Sequence, residues 1–523
     1  MNCIDLYSGI GGWTLGMKLN GIEHIKSFEW NKDSNLTHNL NFGTNTREID
    51  IRKLDFYTSL PEVGSIDFVV GSPPCTQFSY ANKGGGGDIQ DGLIDMYQFL
   101  SVVEYLKPKY WAMENVPRVK NILQKVLNED AKFKRFKKLF NYIEVVDSSE
   151  YGAPQKRKRM IAGNFPFELF EAYKSKTEAK TLGDVLEALS NKDVIDPIYG
   201  YSIPKSELTD HITEEVLNFE ELRINKESKT YHPIYNGMSF PERLDKPSRT
   251  ITSTCTRVSR ESLVIQNGIG FRRLTVRERG TLMGFPVTYQ FYGKSYNSKL
   301  KMIGNAIPPI LTYYIFQSML EVPSGKLTLI HETNKYHHES PSFKTPHTPP
   351  DKVKFKYKES RSFRLAIPEY RFGSGVRFEL SNKFNKENCL WSIKFFYGSS
   401  TKIMEVKFNN KRYDKTIQLI KSQNIDITPF IDNIISYSKE LSSSELQKRW
   451  THKSKELTHP YEAIDNLSKL GLKIKKRLNG LKINDSEFSS IVGENLNSKL
   501  FDHKELILSG IILGYNFNNN IRP

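Results

Sequence analysis

The 523-residue sequence predicts a doubly wound α/β domain over its first 165 residues, an irregular insertion, and a separate C-terminal α+β domain. Three observations predict this. Short apolar runs alternate with amphipathic stretches as far as residue 165, the pattern of a parallel sheet wrapped by helices. A glycine-rich turn, "SGIGG", joins the first apolar run to the first helical stretch. Period-two alternation of apolar and charged residues appears beyond a proline- and histidine-rich stretch at 331–352.

Taken in order, "NCIDLY", "HIKSFEW", "IDFVV" and "YWAMENV" read as strands. "WTLGMKLNG", stopped by Gly21, and "LIDMYQFLSVVEYL" read as helices. From 166 to 270 the regularity fades into polar sequence with strand-like pieces such as "SRTITSTCT". Helical periodicity returns over 271–322 in "LTVRERGTLMGF" and "IPPILTYYIFQSMLEV", where Pro308 and Pro309 fit only a first turn. Residues 323–352 read as a linker. Over 353–523, "VKFKYKES", "SFRLAIPEYRF", "GVRFELSNKF", "LWSIKFFYG" and "KIMEVKF" alternate as half-buried antiparallel strands do. Helices are expected in "SELQKRWTHKSKEL" and "YEAIDNLSKLGLKIKKRL".

Composition narrows the setting. Cys3, Cys75, Cys255 and Cys389 are far apart and form no C-x-x-C pair, so neither a metal site nor a disulfide framework is expected. The opening residues do not read as a leader and no run approaches a membrane span. A soluble cytoplasmic, nucleoid-associated monomer is the expectation. The net charge of +16 is uneven, with 34 Lys+Arg against 21 Asp+Glu from residue 324 onward, and 41 against 38 before it. Such a basic C-terminal region suits a polyanion, although surplus lysine also simply solubilises a surface.

Several stretches carry chemistry. "DLYSGIGG" leads from a strand into a turn where glycines let a backbone approach a ligand, or merely make a tight connection. Glu29 ends the next strand, where a carboxylate can bind ribose hydroxyls, and Trp30 can stack on a base; Asp50 of "REIDI" follows. In "GSPPCTQFS" two prolines force the apolar run to stop, which sets Cys75 on a stiff turn past a strand's carboxyl end. A thiol there is either packing or a nucleophile that needs a polarised, partly open site. "AMENVP" puts Glu114 at the end of the next strand, where a carboxyl group can protonate a ring nitrogen. In "YGAPQKRKR", an extended segment points Gln155, Arg157 and Arg159 to one face, where a guanidinium can grip a carbonyl oxygen or a phosphate.

In order and spacing, "DLYSGIGG", "EW", "SPPCTQFS", "ENV", "QKRKR", "RRLTVRERGTLMGFP" and "GNAIPP" resemble the motif set of DNA cytosine-5 methyltransferases, over about residues 1–320. The resemblance implies a Rossmann-like S-adenosylmethionine-dependent fold with a target-recognition domain at 166–270. It implies a cofactor pocket built by Asp5, Tyr7, Gly9, Gly11, Gly12, Glu29, Trp30, Asp50, Ile51 and Pro73, closed by Asn305 and Ala306. It implies Cys75 as nucleophile, Glu114 as the group engaging the cytosine ring nitrogen, Arg159 as anchor of the base's carbonyl oxygen and Arg157 as its support. Contacts to double-stranded DNA are expected from Gln155, Arg249 and Thr250, and a cognate restriction endonuclease is a possible partner. The four glycines 84–87 suit a loop that closes over a flipped base, or a plain connector. The family often has glutamine directly after the cysteine, whereas this chain has Thr76 and then Gln77.

Other readings remain open at this level. An RNA cytosine-5 methyltransferase shares cofactor and thiolate chemistry, but its nucleophile is a second cysteine on the following strand, where this chain reads "ENV". A C-terminal nuclease would use Glu405 and Lys407 of "IMEVKF", an E-x-K pair that charge alternation explains equally well. A DNA-binding module with a degenerate catalytic fold would not need every chemical position filled. Cys255 reads as packing.

Overall fold

The computed structural model describes residues 1–46, 48–78, 87–230, 238–333, 348–350, 352, 357–373, 376–385, 388–399, 402–493 and 498–523. The chain divides into two compact units, Met1–Thr230 with Met238–Lys352, and 353–523.

The first unit is built on a six-stranded sheet of order β2-β1-β3-β4-β6-β5. Its strands are β1 (Asn2–Leu6), β2 (Glu23–Phe28), β3 (Phe68–Gly71), β4 (Tyr110–Asn115), β5 (Tyr142–Asp147) and β6 (Lys158–Gly163). β1 pairs in parallel with β2 and β3, and β3 with β4. β6 runs antiparallel to both β4 and β5, so the sheet is mixed where the sequence suggested a parallel one. Alternate residues feed two cores. Phe68, Val70, Ala112 and Ile161 face one. Val69, Trp111, Met113, Met160 and Ala162 face the other. Such alternation demands helices on both faces. One face carries α1 (Gly12–Leu19) and helix Pro309–Met319, with Pro309 in the first turn and Pro308 at the N-cap. The other carries helix Ile89–Leu106, capped by the Asp88 carboxylate, which accepts from the backbone of Gln90 and Asp91.

Between 166 and 273 the chain is loop-rich, with two small hairpins, β7 (Asp193–Ile195) with β8 (Ser202–Pro204) and β9 (Val264–Asn267) with β10 (Gly270–Arg273). Buried ion pairs hold it. Arg273 and Arg257 reach Glu214 at 2.8 and 3.3 Å, Arg257 also reaches Glu221 at 2.7 Å, and Lys299 reaches Asp210 at 2.6 Å. "SRTITSTCT" forms no strand, making only one bridge between Gln155 and Ser248. Side chains take its backbone groups instead: the Ile251 N–H donates to the Gln155 carbonyl oxygen at 2.6 Å, and the Ile251 carbonyl accepts from Arg157 at 2.8 Å. Cys255 is buried, its sulfur 3.2 Å from the Ser262 hydroxyl.

The second unit is a meander, β11 (Arg364–Gly373), β12 (Val376–Asn385), β13 (Asn388–Ser399) and β14 (Lys402–Val406), all antiparallel. Phe378, Leu380, Ile393 and Phe395 point into its core, and helices Pro460–Arg477 and Lys504–Asn520 pack on the sheet. Pro368 is tolerated because the β11–β12 pairing is interrupted between Ala366 and Arg371. Of "VKFKYKES", residues 353–356 lie outside the described residues and 357–360 are turn rather than strand. The helix expected over 444–457 stops at Trp450. There His452 turns left-handed and the Lys453 N–H closes on the Lys448 carbonyl at 2.9 Å, a Schellman arrangement.

Candidate active site

β1 has β2 on one side and β3 on the other, so the connections leaving β1 diverge and open a crevice at the carboxyl ends of the strands. A cavity of about 310 Å³ occupies it. Tyr7 enters from the end of β1, Glu29 and Trp30 from the end of β2, and Ile49, Asp50, Ile51 and Arg52 from the segment beyond. Pro74, Thr76 and Gln77 close it from the turn after β3, and Asp91 and Asp95 from helix Ile89–Leu106. Four carboxylates face a single guanidinium, so the lining favours a cationic ligand. Glu29 is fixed by two backbone donors, Gly9 N–H at 2.9 Å and Asn31 N–H at 2.7 Å. Burial pushes its carboxyl pKa up, and those N–H groups oppose the shift.

The cavity therefore brings together Tyr7, Glu29, Trp30, Asp50 and Ile51 of the expected cofactor residues, but not the others. Asp5 is fully buried beneath the turn, accepting from the Thr14 hydroxyl at 2.9 Å, with burial raising its pKa. Pro73 is turned away, its carbonyl held by the Asn115 amide at 2.9 Å, so Pro74 forms the wall in its place. Asn305 and Ala306 end helix Tyr296–Asn305 off the cavity wall. The glycines divide in purpose. Gly9 (φ 54°) has nothing within 4 Å of a built Cβ, as suits a ligand's approach. Gly11 (φ 86°) would drive a Cβ to 2.2 Å from the Phe42 ring, and Gly12 would drive one to 2.3 Å from the Ile307 carbonyl oxygen, so packing requires both.

Beside the cavity stands the second part of the site. Cys75 is a free, half-buried thiol on the turn after β3, its carbonyl accepting from Phe78 N–H at 3.0 Å. Glu114, buried at the end of β4, pairs with Arg159 of β6, Nε to Oε1 2.8 Å. β6 is antiparallel to β4, and this neighbouring register brings the two side chains together. Burial pushes the Cys75 thiol up; Arg159 and Arg157 pull it down, while Glu114 adds to the rise. The resting sulfur is therefore a thiol whose proton is sensitive to the charge state of the pair beside it. Asn115 locks this geometry by clamping the turn that carries Cys75, a role the sequence reading did not assign.

Gln155, Arg157 and Arg159 do not share one exposed face. Gln155 is completely buried: its amide donates to the Leu282 carbonyl and accepts from Ile251 N–H, which leaves nothing to offer DNA. Arg157, 1% exposed, donates to the carbonyls of Ile251, Gly304 and Ala306 at 2.8 to 2.9 Å. It is a brace between segments rather than a group presented to a substrate, and burial lowers its pKa. Arg249 is clasped by the Glu242 carboxylate, and the Thr250 hydroxyl donates to the Lys156 carbonyl at 2.8 Å. Of the four glycines, only Gly87 is described; 79–86 lie outside the described residues.

Sequence reasoning missed Arg52, Gln77, Asp91 and Asp95. Arg52 forks onto both oxygens of Asp95 (3.0 and 2.7 Å) and onto Asp91 Oδ1 (2.7 Å). Tyr7 donates to Asp95 Oδ1 at 3.2 Å, and the Gln77 amide donates to Asp91 Oδ2 at 3.1 Å. The i, i+4 spacing of two aspartates on a helix that starts just beyond the cysteine turn was the available signal.

A crevice with a net-acidic cavity, flanked by a thiol, a carboxyl and a guanidinium on adjacent strand ends, defines an α/β enzyme of the methyltransferase class. The chain belongs to the C-5 cytosine-specific DNA methylases, the sequence model of that family matching residues 1–321. It is 27% identical to the type II methyltransferase M.FnuDI of Fusobacterium nucleatum, over 62% of this chain and 96% of that protein. It is 28% identical to M.HindV of Haemophilus influenzae, over 61% of this chain and 96% of that one. The solved structure of the Entamoeba histolytica methyltransferase EhMeth aligns with 61% of this chain and 98% of its own, at 17% identity and a TM-score of 0.43. No described helix is long and apolar enough to cross a membrane.

Proposed function

We propose that this methyltransferase moves a methyl group from S-adenosylmethionine to carbon 5 of cytosine in a specific sequence of double-stranded DNA, through a covalent bond to Cys75. The observation that carries the reading is the buried Glu114–Arg159 pair acting electrostatically on a half-buried thiol at the edge of a net-acidic cavity. The donor set fits S-adenosylmethionine. Glu29 offers a fixed carboxylate to ribose hydroxyls, Tyr7, Trp30, Ile51 and Pro74 offer apolar walls to an adenine, and the acidic surplus suits a sulfonium. When bound, that group supplies an electrophilic methyl.

Carbon 5 of cytosine is too poor a nucleophile to be methylated directly. The Cys75 thiol gives up its proton to the neighbouring Glu114 carboxylate and the thiolate adds to carbon 6, forming the S–C6 bond. The C5–C6 π electrons move toward the ring nitrogen, which the Glu114 carboxyl protonates or hydrogen-bonds. Arg159 holds the base's carbonyl oxygen and orients Glu114. Carbon 5, now enamine-like, takes the methyl group. Loss of the carbon 5 proton to a base re-forms the double bond, the S–C6 bond breaks and the thiolate returns. A stacked base cannot reach a half-buried thiol, so the cytosine is flipped out of the duplex. The loop-rich 166–270 region supplies target recognition.

The test is trapping. With 5-fluorocytosine in the target, carbon 5 has no proton to lose after methyl transfer, so the Cys75 adduct persists as a denaturation-resistant protein–DNA band that needs S-adenosylmethionine and vanishes in Cys75→Ala. A band that survives Cys75→Ala sinks the mechanism.

The C-terminal unit we assign to added DNA affinity. Between Asp465 and Asp485 the chain has six cations and no acid, and Lys469, Lys473, Lys476 and Arg477 are exposed on helix Pro460–Arg477. Steps of three and four residues space the three lysines about 5 to 6 Å apart along the helix, suited to a phosphate backbone. The E-x-K pair of the alternative nuclease reading makes a local contact. Glu405 pairs with Lys394 at 3.4 Å, and among the described residues no three His, Cys, Asp or Glu side chains are grouped to hold a metal.

A further inference from the structure

We propose that Arg52, through Asp91 and Gln77, couples occupancy of the cofactor cavity to the placement of Cys75; the inference rests on the S-adenosylmethionine reading of that cavity. Tyr7, Asp95, Arg52, Asp91 and Gln77 form one unbroken chain of hydrogen bonds. All five line the cavity. The chain begins on the strand-end turn that meets the ligand and ends two residues beyond the nucleophile.

The far end of the chain is anchored where it can act on the thiol. The Gln77 side-chain oxygen accepts from Asp88 N–H at 3.0 Å, so the same amide grips both Asp88 and Asp91 at the start of helix Ile89–Leu106. A Cβ on Gly87 would lie 2.3 Å from the Gln77 carbonyl oxygen, and one on Gly92 would lie 2.5 Å from the Phe78 ring. The Cys75–Phe78 turn is thus seated directly on the head of the helix that carries both aspartates. Moving Cys75 outward breaks the Gln77–Asp91 contact, and holding that contact holds Cys75.

The near end responds to a ligand for an electrostatic reason. With the cavity full of water, the Arg52–Asp91 pair, about one third exposed on both sides, is screened and contributes little. An adenosyl group in the cavity displaces that water, strengthens the pair and fixes the fork of Arg52 in place. Asp91 then presents a fixed acceptor to Gln77. The ligand favours the engaged state of the Cys75 turn by its differential interaction with this cluster, and by reciprocity the engaged turn tightens the ligand. Asp95 is bonded to Tyr7 as well as to Arg52, so Arg52 and Asp91 are the positioning residues between it and Gln77. Neither touches the reacting atoms.

The test uses the full-length protein and S-adenosylhomocysteine. Calorimetry first establishes binding to the wild type. Iodoacetamide labelling of the Cys75 peptide is then followed by mass spectrometry with and without saturating ligand, with half-buried Cys389 of the other unit as internal control. Labelling of Cys75 should slow at least about 5-fold with ligand, the low end of ordinary coupling, while Cys389 is unchanged. Asp91→Ala should weaken ligand binding by about the same factor, as reciprocity requires, and lose the protection at ligand concentrations that still saturate it. Arg52→Lys, which retains the charge but not the fork, should lose most of it and serves should Asp91→Ala melt early. Protection that survives intact in both variants overturns the proposal, as does a wild type that binds ligand without protecting Cys75. A wild type that binds no ligand at all instead refutes the reading of the cavity.

Discussion

Glu114→Gln separates loss of proton donation from general damage, because its two consequences at Cys75 have opposite signs. Glutamine keeps the size and an oxygen acceptor for Arg159 Nε, 2.8 Å away, but removes the charge from a pair whose side chains are only 11% and 8% exposed. Removing one partner of a buried pair costs about 3–5 kcal/mol, and the retained acceptor puts this variant near the lower figure, so a clear fall in melting temperature is expected. The Glu114 carboxylate also raises the Cys75 pKa. Its loss lowers that pKa, so alkylation of Cys75 at fixed pH should become faster. Methyl transfer should nevertheless fall, since a positioned acid contributes about 10²–10⁴-fold, or about 2.7–5.5 kcal/mol of barrier. The KM for S-adenosylmethionine should hold, Glu114 being off the cavity wall. The assays are initial rates of tritium transfer into duplex DNA and mass spectrometry of the Cys75 peptide. A kcat within about threefold of wild type in folded protein, or a parallel fall in alkylation, would refute the reasoning.

Three further outcomes are expected. Alkylation of Cys75 in the unliganded protein should rise with pH around a midpoint above the ordinary thiol range, and Arg159→Leu should move that midpoint higher because Arg159 favours the thiolate; a lower midpoint in the variant contradicts this. Gly11→Ala combines a left-handed backbone, about 1–2 kcal/mol, with an overpacked contact against Phe42, about 1–3 kcal/mol, whereas Gly9→Ala meets open space and costs only the first; urea denaturation should rank them in that order. Charge reversal at Lys469, Lys473 and Lys476 should weaken DNA binding and flatten the log–log salt slope by up to about 2.7, and an unchanged slope would remove the C-terminal unit from the DNA contact.

Strand ends were readable because prolines and glycines punctuate them. "SPPC" fixed where β3 must stop, and "ENV" the end of β4, and these neighbours in the sheet bring Cys75 and Glu114 to one edge. What stayed hidden depends on partners remote in sequence. Arg52 meets aspartates about forty residues away, and their i, i+4 spacing, visible in the sequence, does not name Arg52 as the partner. An extended "QKRKR" would point Gln155, Arg157 and Arg159 to one face, yet the spacing could not show that Gln155 and Arg157 are walled in by Ile251 and Gly304. The glycines of "SGIGG" look equivalent in sequence, but only Phe42 and Ile307 reveal that two of them serve packing. β6 lacks the helical crossover a parallel strand requires, which is why its antiparallel insertion escaped a reading based on alternation.

The proposed reaction is methylation of cytosine within a defined DNA sequence, with Cys75 as the covalent nucleophile. It is tested most directly by base-resolution bisulfite sequencing of DNA from a methylation-free bacterial host expressing either the wild type or Cys75→Ala. Protected cytosines at one position of one short motif, present only with the wild type, are predicted. Background conversion in both, with soluble protein present, would contradict the claim and turn attention to an RNA substrate.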